Sequence, residues 1–269
     1  MSLRINQNVE AFNAHRQLVG TSSKLSKSME RLSSGYRINR AADDAAGLAI
    51  TEKLRGQIKG LDQAQRNAQD AISLVQTAEG SLTEVHSMLQ RVRELAVQYK
   101  NGSLSAGDKM AIQSEVNMLG SEIERIGSTA EFNGIKLLSA AATISFQVGA
   151  QDGEIITVTT VSLGSVVNAA VVALSAGNST DISEIDAAID SVSAQRAQFG
   201  AVQNRLEHTL ANLAIYQENL QASESRIRDV DMAAEMVNFT KLQILQQSGT
   251  AMVAQANQLP QSVLQLLRG

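Results

Sequence analysis

Residues 48–99 read LAITEKLRGQIKGLDQAQRNAQDAISLVQTAEGSLTEVHSMLQRVRELAVQY. Leu54, Leu61, Ala68, Val75, Leu82, Leu89 and Ala96 fall every seven residues, and Ile58, Ile72, Val85, Val92 and Tyr99 lie three or four positions from them. Side chains three, four and seven apart share one face of an α-helix, so the stretch predicts one long amphipathic helix with a coiled-coil seam. A helix of about 50 residues reaches roughly 75 Å at about 1.5 Å per residue. Asn101-Gly102-Ser103 breaks the pattern, and residues 106–128 predict a shorter helix with Met110, Val116, Leu119, Ile123 and Ile126 inward.

Upstream, Ile5, Val9, Phe12, Leu18, Leu25 and Leu32 form one apolar stripe among Arg4, Arg16, Lys24, Lys27 and Arg31. Residues 33–47, SSGYRINRAADDAAG, interrupt the periodicity. Gly35 fits a helix stop, and Asp43 or Asp44 fits the cap of the next helix. Downstream, charge nearly vanishes between Ser139 and Asp181, where only Asp152 and Glu154 carry it. Ile144, Phe146 and Val148 alternate with polar neighbours, as do Ile156, Val158 and Thr160, and Asp152-Gly153 lies between the runs. That pattern predicts a β-hairpin near 143–161, followed by an irregular segment over 162–180.

Heptads return with Ile185, Val192, Phe199, Leu206, Leu213, Leu220 and Ile227. The stripe shifts near 225–231 and continues as Val230, Val237, Ile244 and Ala251, with Pro260 expected to end the helix. From Leu242 to Leu267 no side chain is charged. A solvated helix carries charge on its outer face, so this segment suits burial between subunits. The fold class expected is mainly α: a long antiparallel helical bundle or coiled coil with a small β-hairpin region. Residues 1–44 with 232–269 are expected to form a discontinuous terminal coiled coil. Residues 45–231 are expected to form a bundle carrying the hairpin.

Composition narrows the function. The 269 residues hold 23 basic and 27 acidic side chains, 3% aromatics, one proline and no cysteine or tryptophan. A pI near 5.5 disfavours nucleic-acid binding through a basic surface. No apolar run approaches a membrane span or a secretory signal, so no membrane insertion and no cleaved signal peptide are expected. His15, His86 and His208 are far apart and no cysteine is present, which argues against a zinc site. The carboxylate pairs Asp43–Asp44 and Asp229–Asp231 read as caps or ion-pair partners, because catalysis would need a shielded pocket to split their pKa values. No phosphate-binding glycine motif is present, and Gly56 and Gly60 suggest at most a close helix contact. No cofactor and no enzymatic activity are expected.

Several stretches resemble bacterial flagellins in the order that family has them. RLSSGYRINRAADDAAGLAI at 31–50 resembles its signature segment, and QRVRELAV at 90–97 its second marker. EFNGIKLL at 131–138 and FQVGAQDG at 146–153 resemble its segments around the hairpin, and AMVAQANQLPQSVLQLL at 251–267 its C-terminus. The resemblance covers nearly the whole chain and implies an extracellular filament subunit for swimming motility, a homopolymer. It implies export as an unfolded chain through the flagellar type III apparatus, with a chaperone, a filament cap and junction proteins as partners. It also implies an inner tube made of the terminal helices, packed through Ile5, Phe12, Leu18, Leu25, Val237, Ile244, Ala251 and Leu264. Many flagellins carry large outer domains where this chain has only 140–180, so a short form with a thin, smooth filament is expected.

Arg91, Leu95 and Glu115 match family positions associated with recognition by the vertebrate Toll-like flagellin receptor, with Gln90 and Glu94 bordering them. The same residues fit a contact with a neighbouring subunit. Gly35, Arg37, Asn39, Asp43, Asp44 and Gly47 mark the connector, which with the hairpin is expected to carry a switch between filament forms. The hook–filament junction protein shares the terminal layout and stands as the nearest alternative. Residues 41–47 and the C-terminal motif favour a filament flagellin. A receptor ligand or adhesin would need a display surface that the short central region does not offer.

Overall fold

In a computed structural model of the chain, residues 8–164 and 181–266 are described, with side chains placed for 8–164 and 182–258. Ile5, the Leu264 side chain and residues 165–180 of the expected irregular segment lie outside them. Five helices are described: α1 (Val9–Ser34), α2 (Ala45–Tyr99), α3 (Ala106–Thr129), α4 (Asp181–Arg228) and α5 (Met232–Leu266). Four short strands, β1 (Glu131–Phe132), β2 (Ile135–Lys136), β3 (Thr143–Gln147) and β4 (Ile155–Thr159), make two antiparallel hairpins. The mainly helical class with a small hairpin region is what the heptads require. The described residues fall into two compact units, Gln57–Asn219 and the parts of the chain before Gln57 and after Asn219.

In the unit Gln57–Asn219, α3 and α4 each run antiparallel to α2. Arg93 pairs with Asp186 and Gln65 with Gln217 across α2 and α4, while Arg91 pairs with Glu115 across α2 and α3. The predicted seam forms the core: Val75, Leu82, Leu89 and Ala96 of α2 are fully buried with Ile185, Val192 and Phe199 of α4. Val116 and Ile123 of α3 complete it, together with Leu137 and Leu138. Each of the Val, Leu, Ile and Phe side chains contributes roughly 1.5–3 kcal/mol relative to exposure. Met110 is a correction: it is 71% exposed, and Ile112 takes the inward place. Two residues along a helix turn the side chain by about 200°, so the two cannot share a face.

The larger hairpin pairs Thr143 with Thr159 through Gln147 with Ile155, as the alternation predicts. Gly153 holds φ 89° in the turn, a conformation that glycine adopts without cost. An isolated two-stranded hairpin is marginal in water. Here each strand is fastened by a side-chain amide from a helix. Asn67 Nδ2 donates to Gln147 O at 2.9 Å, and Gln195 Nε2 donates to Thr159 O at 2.8 Å. Gly60 approaches the Cβ of Ala150 in the hairpin loop, to 3.2 Å from where its own Cβ would stand, so its close contact is with the hairpin and not with a helix. The smaller hairpin turns at Asn133 (φ 49°) and Gly134 (φ 78°). Asn-Gly is the strongest short hairpin signal, and the two-residue strands around it are too short to show alternation.

In the other unit, α1 and α5 pack antiparallel. The seam of α5 runs Glu235, Phe239, Leu242, Gln246, Gly249, Val253 and Ala256, alternating steps of four and three. Opposite it on α1 lie Ala14, Leu18, Thr21, Leu25 and Ser28. A Cβ on Gly249 would stand 3.1 Å from the Leu18 side chain, so the two helices approach closely there. Pro260 does not end α5, which continues to Leu266. A proline costs a helix one hydrogen bond and a steric clash, but packing can hold the helix through it.

Candidate functional site

Three features are the candidates for function: the connector, the outward face of the terminal helices, and the Arg91 patch. The connector is built from caps. Gly35 ends α1 with φ 74°, its N–H donating to Arg31 O at 2.9 Å. Asp44 caps α2, accepting from Gly47 N–H at 2.9 Å. A Cβ on Gly47 would stand 2.8 Å from the buried Ile38 side chain and closer still to the Asp44 carboxyl, so only glycine leaves room for both. Asp43 gathers the loop differently: it accepts from the Arg40 N–H at 3.1 Å and pairs with Lys27 of α1 at 2.6 Å.

The loop is clasped to the break between α4 and α5. Arg37 N–H donates to Arg228 O at 2.7 Å, and Val230 N–H donates to Gly35 O at 3.0 Å. The Arg37 guanidinium donates to Ile227 O at 2.6 Å, while Asn39 and Arg40 both donate to the Glu30 carboxylate at 2.8 Å. The Arg228 guanidinium stacks 4.7 Å from the Tyr36 ring and pairs with Glu52 at 3.0 Å. The connector residues expected from sequence are therefore brought together. Arg228, Tyr36 and Glu30 join them without a sequence signal of their own: Arg228 meets Tyr36 from an element roughly 190 residues away, and Glu30 meets Asn39 and Arg40 only because the chain turns back after Gly35.

The Lys27 ammonium, with the Arg40 and Asn39 N–H groups, holds the Asp43 carboxyl down to about 2. A depressed carboxyl stabilises the connector above its ordinary value of 3.8, and that contribution is lost as pH falls from about 4 to about 2. Carbon-13 NMR of the carboxyl should show Asp43 titrating near 2, and Lys27→Met should raise that value toward the ordinary one.

The Arg91 patch spans α2 and α3. Arg91 donates to Glu115 at 3.0 Å and to Glu94 at 3.1 Å, and both carboxylates raise its pKa, Glu115 most. Gln90 is exposed beside it and meets His86 at 3.0 Å. Leu95 is a correction: at 1% exposure it belongs to the core beneath the patch. Residues four apart differ by about 40° around a helix, enough to turn Leu95 from the rim into the seam.

The terminal helices also differ from the phase expected. Leu18 and Leu25 lie on the α1–α5 seam, whereas Phe12 (69% exposed), Val237 (70%) and Ile244 (63%) face away from it, with Ala251 exposed as well. The buried heptad of α5 runs two residues before the one read from Val237, Ile244 and Ala251. It carries Glu235 and Gly249, which an apolar-only reading passes over. Glu235 accepts from the Ser28 hydroxyl and from Asn238, and its other oxygen lies 3.8 Å from Arg31. The outward face thereby presents Met236, Val237, Ile244, Leu245 and Met252 without any charge between Leu242 and Leu267.

No group of three metal-ligating side chains occurs among the described residues, and none of their helices is long and apolar enough to cross a membrane. Long heptad helices, paired terminal helices and an uncharged apolar outer face define a structural coiled-coil protein built for self-assembly. The bacterial flagellin N-terminal helical region matches residues 5–143 and the C-terminal helical region matches residues 182–267. The chain belongs to the bacterial flagellin family. It is 54% identical to the flagellin of Halalkalibacterium halodurans, over 98% of this chain and 99% of that one. It is 48% identical to the flagellin of Bacillus subtilis, over 99% and 100%. The crystal structure of Bacillus cereus flagellin superposes with a TM-score of 0.50 at 31% identity, covering 55% of this chain and 88% of that one. The protein is a structural subunit of the extracellular flagellar filament, in a short form without a large outer domain, and not an enzyme.

Proposed function

We propose that the exposed apolar face of α5, with Phe12 of α1, is the surface that neighbouring subunits cover as the filament grows. The observation that carries this is Val237, Ile244 and Met252 standing 62–70% exposed on a helix whose last 25 described residues have no charge. Isolated exposed apolar residues need no explanation, but a contiguous row does. In this reading residues 1–44 with 232–269 line the filament's inner tube, with Ile5 and Leu264 among the residues assigned to it. The contacts are heterologous and do not close, which generates a helical polymer. Seeded growth followed by electron microscopy tests the surface. Ile244→Asp should stop elongation while the helix content of the monomer stays unchanged. Normal growth of thin, smooth filaments from that variant would overturn the assignment.

The connector and the larger hairpin are the proposed switch between filament forms, which needs alternative packings of nearly equal energy. Gly35→Ala forces an alanine into φ 74°, at a cost of about 1 kcal/mol, and should change the filament waveform seen by dark-field microscopy. Export through the flagellar type III apparatus, without a cleaved signal peptide, fits a chain that must be unfolded in transit. An export chaperone, the filament cap and the junction proteins are the partners this route supplies. The exposed Arg91–Glu115 pair, bordered by Gln90 and Glu94, is the proposed contact for the vertebrate Toll-like flagellin receptor on released monomer. Arg91→Ala should weaken monomer binding to the receptor ectodomain about tenfold or more, in line with loss of a charge-assisted pair.

A further inference from the structure

Pro260 is the sole proline of the chain and sits inside α5. In an α-helix each N–H donates to the carbonyl four residues back, so a proline leaves that carbonyl without its donor. For Pro260 the carbonyl is that of Ala256, which is 8% exposed and turned toward α1. A shielded carbonyl without a partner is costly, and the structure shows where its partner comes from. Asn8 Nδ2 donates to Ala256 O at 2.7 Å. The other amide atom of Asn8 is occupied too, since Oδ1 accepts from Ala11 N–H at 3.0 Å and caps α1. One contact demands a donor and the other an acceptor, so the orientation of the amide follows from its partners.

We propose that Asn8 stands in for the missing N–H of Pro260 and, by using its two amide atoms on two helices, sets the register of α1 against α5. At the opposite end of the seam Ser28 bonds to Glu235, so a slip of one heptad breaks polar contacts at both ends. The proline and the asparagine act as a matched pair 252 positions apart. Pro260 leaves a carbonyl without its helical donor, and Asn8 presents a donor to it at a single register. The register in turn decides where along α1 the outward residues of α5 stand.

The test is a double-mutant cycle read in assembled filaments, as critical concentration for seeded growth and as dissociation temperature. Asn8→Ser retains a capping oxygen but has no amide to reach Ala256. In the Pro260 chain it should raise the critical concentration by on the order of tenfold. Pro260→Ala restores the helical N–H, and in that chain Asn8→Ser should raise the concentration less than threefold. Equal effects in both chains would overturn the pairing. If Asn8→Ser abolishes growth outright, regained growth in the Asn8→Ser, Pro260→Ala double variant supports the proposal and continued failure refutes it. In solid-state NMR of labelled filaments, the Ala256 carbonyl shift should move with Asn8→Ser only when Pro260 is present.

Discussion

A chain ending at Lys241 should not form filaments at any concentration, although its Gln57–Asn219 unit should unfold with the same midpoint as in the full chain. The truncation removes Leu242, Gln246, Gly249, Val253 and Ala256 from the seam, so Leu18 loses its Gly249 contact and only Glu235 and Phe239 remain for the far end of α1. A solitary helix of 26 residues with lysines and serines along its flanks is marginal in water, since most helix stability in proteins comes from packing an apolar face. Helix content should therefore fall by more than the residues deleted. The truncation also removes Ile244, Leu245 and Met252, the apolar face proposed to meet neighbouring subunits. The Gln57–Asn219 unit keeps its core, because every residue of the main buried cluster lies between Leu74 and Phe199. Electron microscopy after seeding and urea unfolding followed by circular dichroism check the two halves of this expectation. Filaments growing from the truncated chain would show that the uncharged helix is dispensable for assembly.

What could be read from the sequence divides along physical lines. The bundle core was legible because its seam is almost wholly apolar: Leu61 through Ala96 in α2 and Ile185 through Leu213 in α4 are buried where the heptads put them. The larger hairpin was legible because five-residue strands are long enough to alternate. The terminal seam was not, because it mixes glycine, glutamine and glutamate with leucine. Its outward face carries the stronger apolar signal, an inversion expected where the outer face is to be covered by other subunits. Pro260 was read as a stop because a proline's local cost is visible in sequence, while the Asn8 donor that offsets it is not. The Asp44 cap and the Gly35 stop were local and legible. The Arg228 clasp was not, since nothing in the sequence brings Arg228 to Tyr36. Leu95 shows the limit of transferring a patch residue by residue: position along the chain carries over, but depth beneath the surface is set by the packing of α3 and α4.

Phe199→Ala should cost the Gln57–Asn219 unit about 3–5 kcal/mol. Phe199 is 1% exposed and is the largest fully buried side chain of the core. It stands on α4 within the cluster that also takes Leu74 and Val75 of α2, and Val202 packs against the same cluster. Five phenylalanines and no tryptophan serve 269 residues, so few other rings are present to fill the space its removal would leave. Aromatic side chains bury the most area per residue, and the helices around this one are held along their length by the same seam, which limits how far they can collapse inward. The loss should appear as a lower urea midpoint with an unchanged slope, since the surface exposed on unfolding stays nearly the same. Phe199→Leu keeps most of the volume and should cost less than about 1.5 kcal/mol. Filaments of the alanine variant should still grow, because polymerisation stabilises the folded subunit by mass action. They should dissociate at a lower temperature than filaments of the leucine variant. Equal midpoints for the two variants would mean that the core relaxes around the cavity, and the bundle would then be softer than its continuous heptads imply.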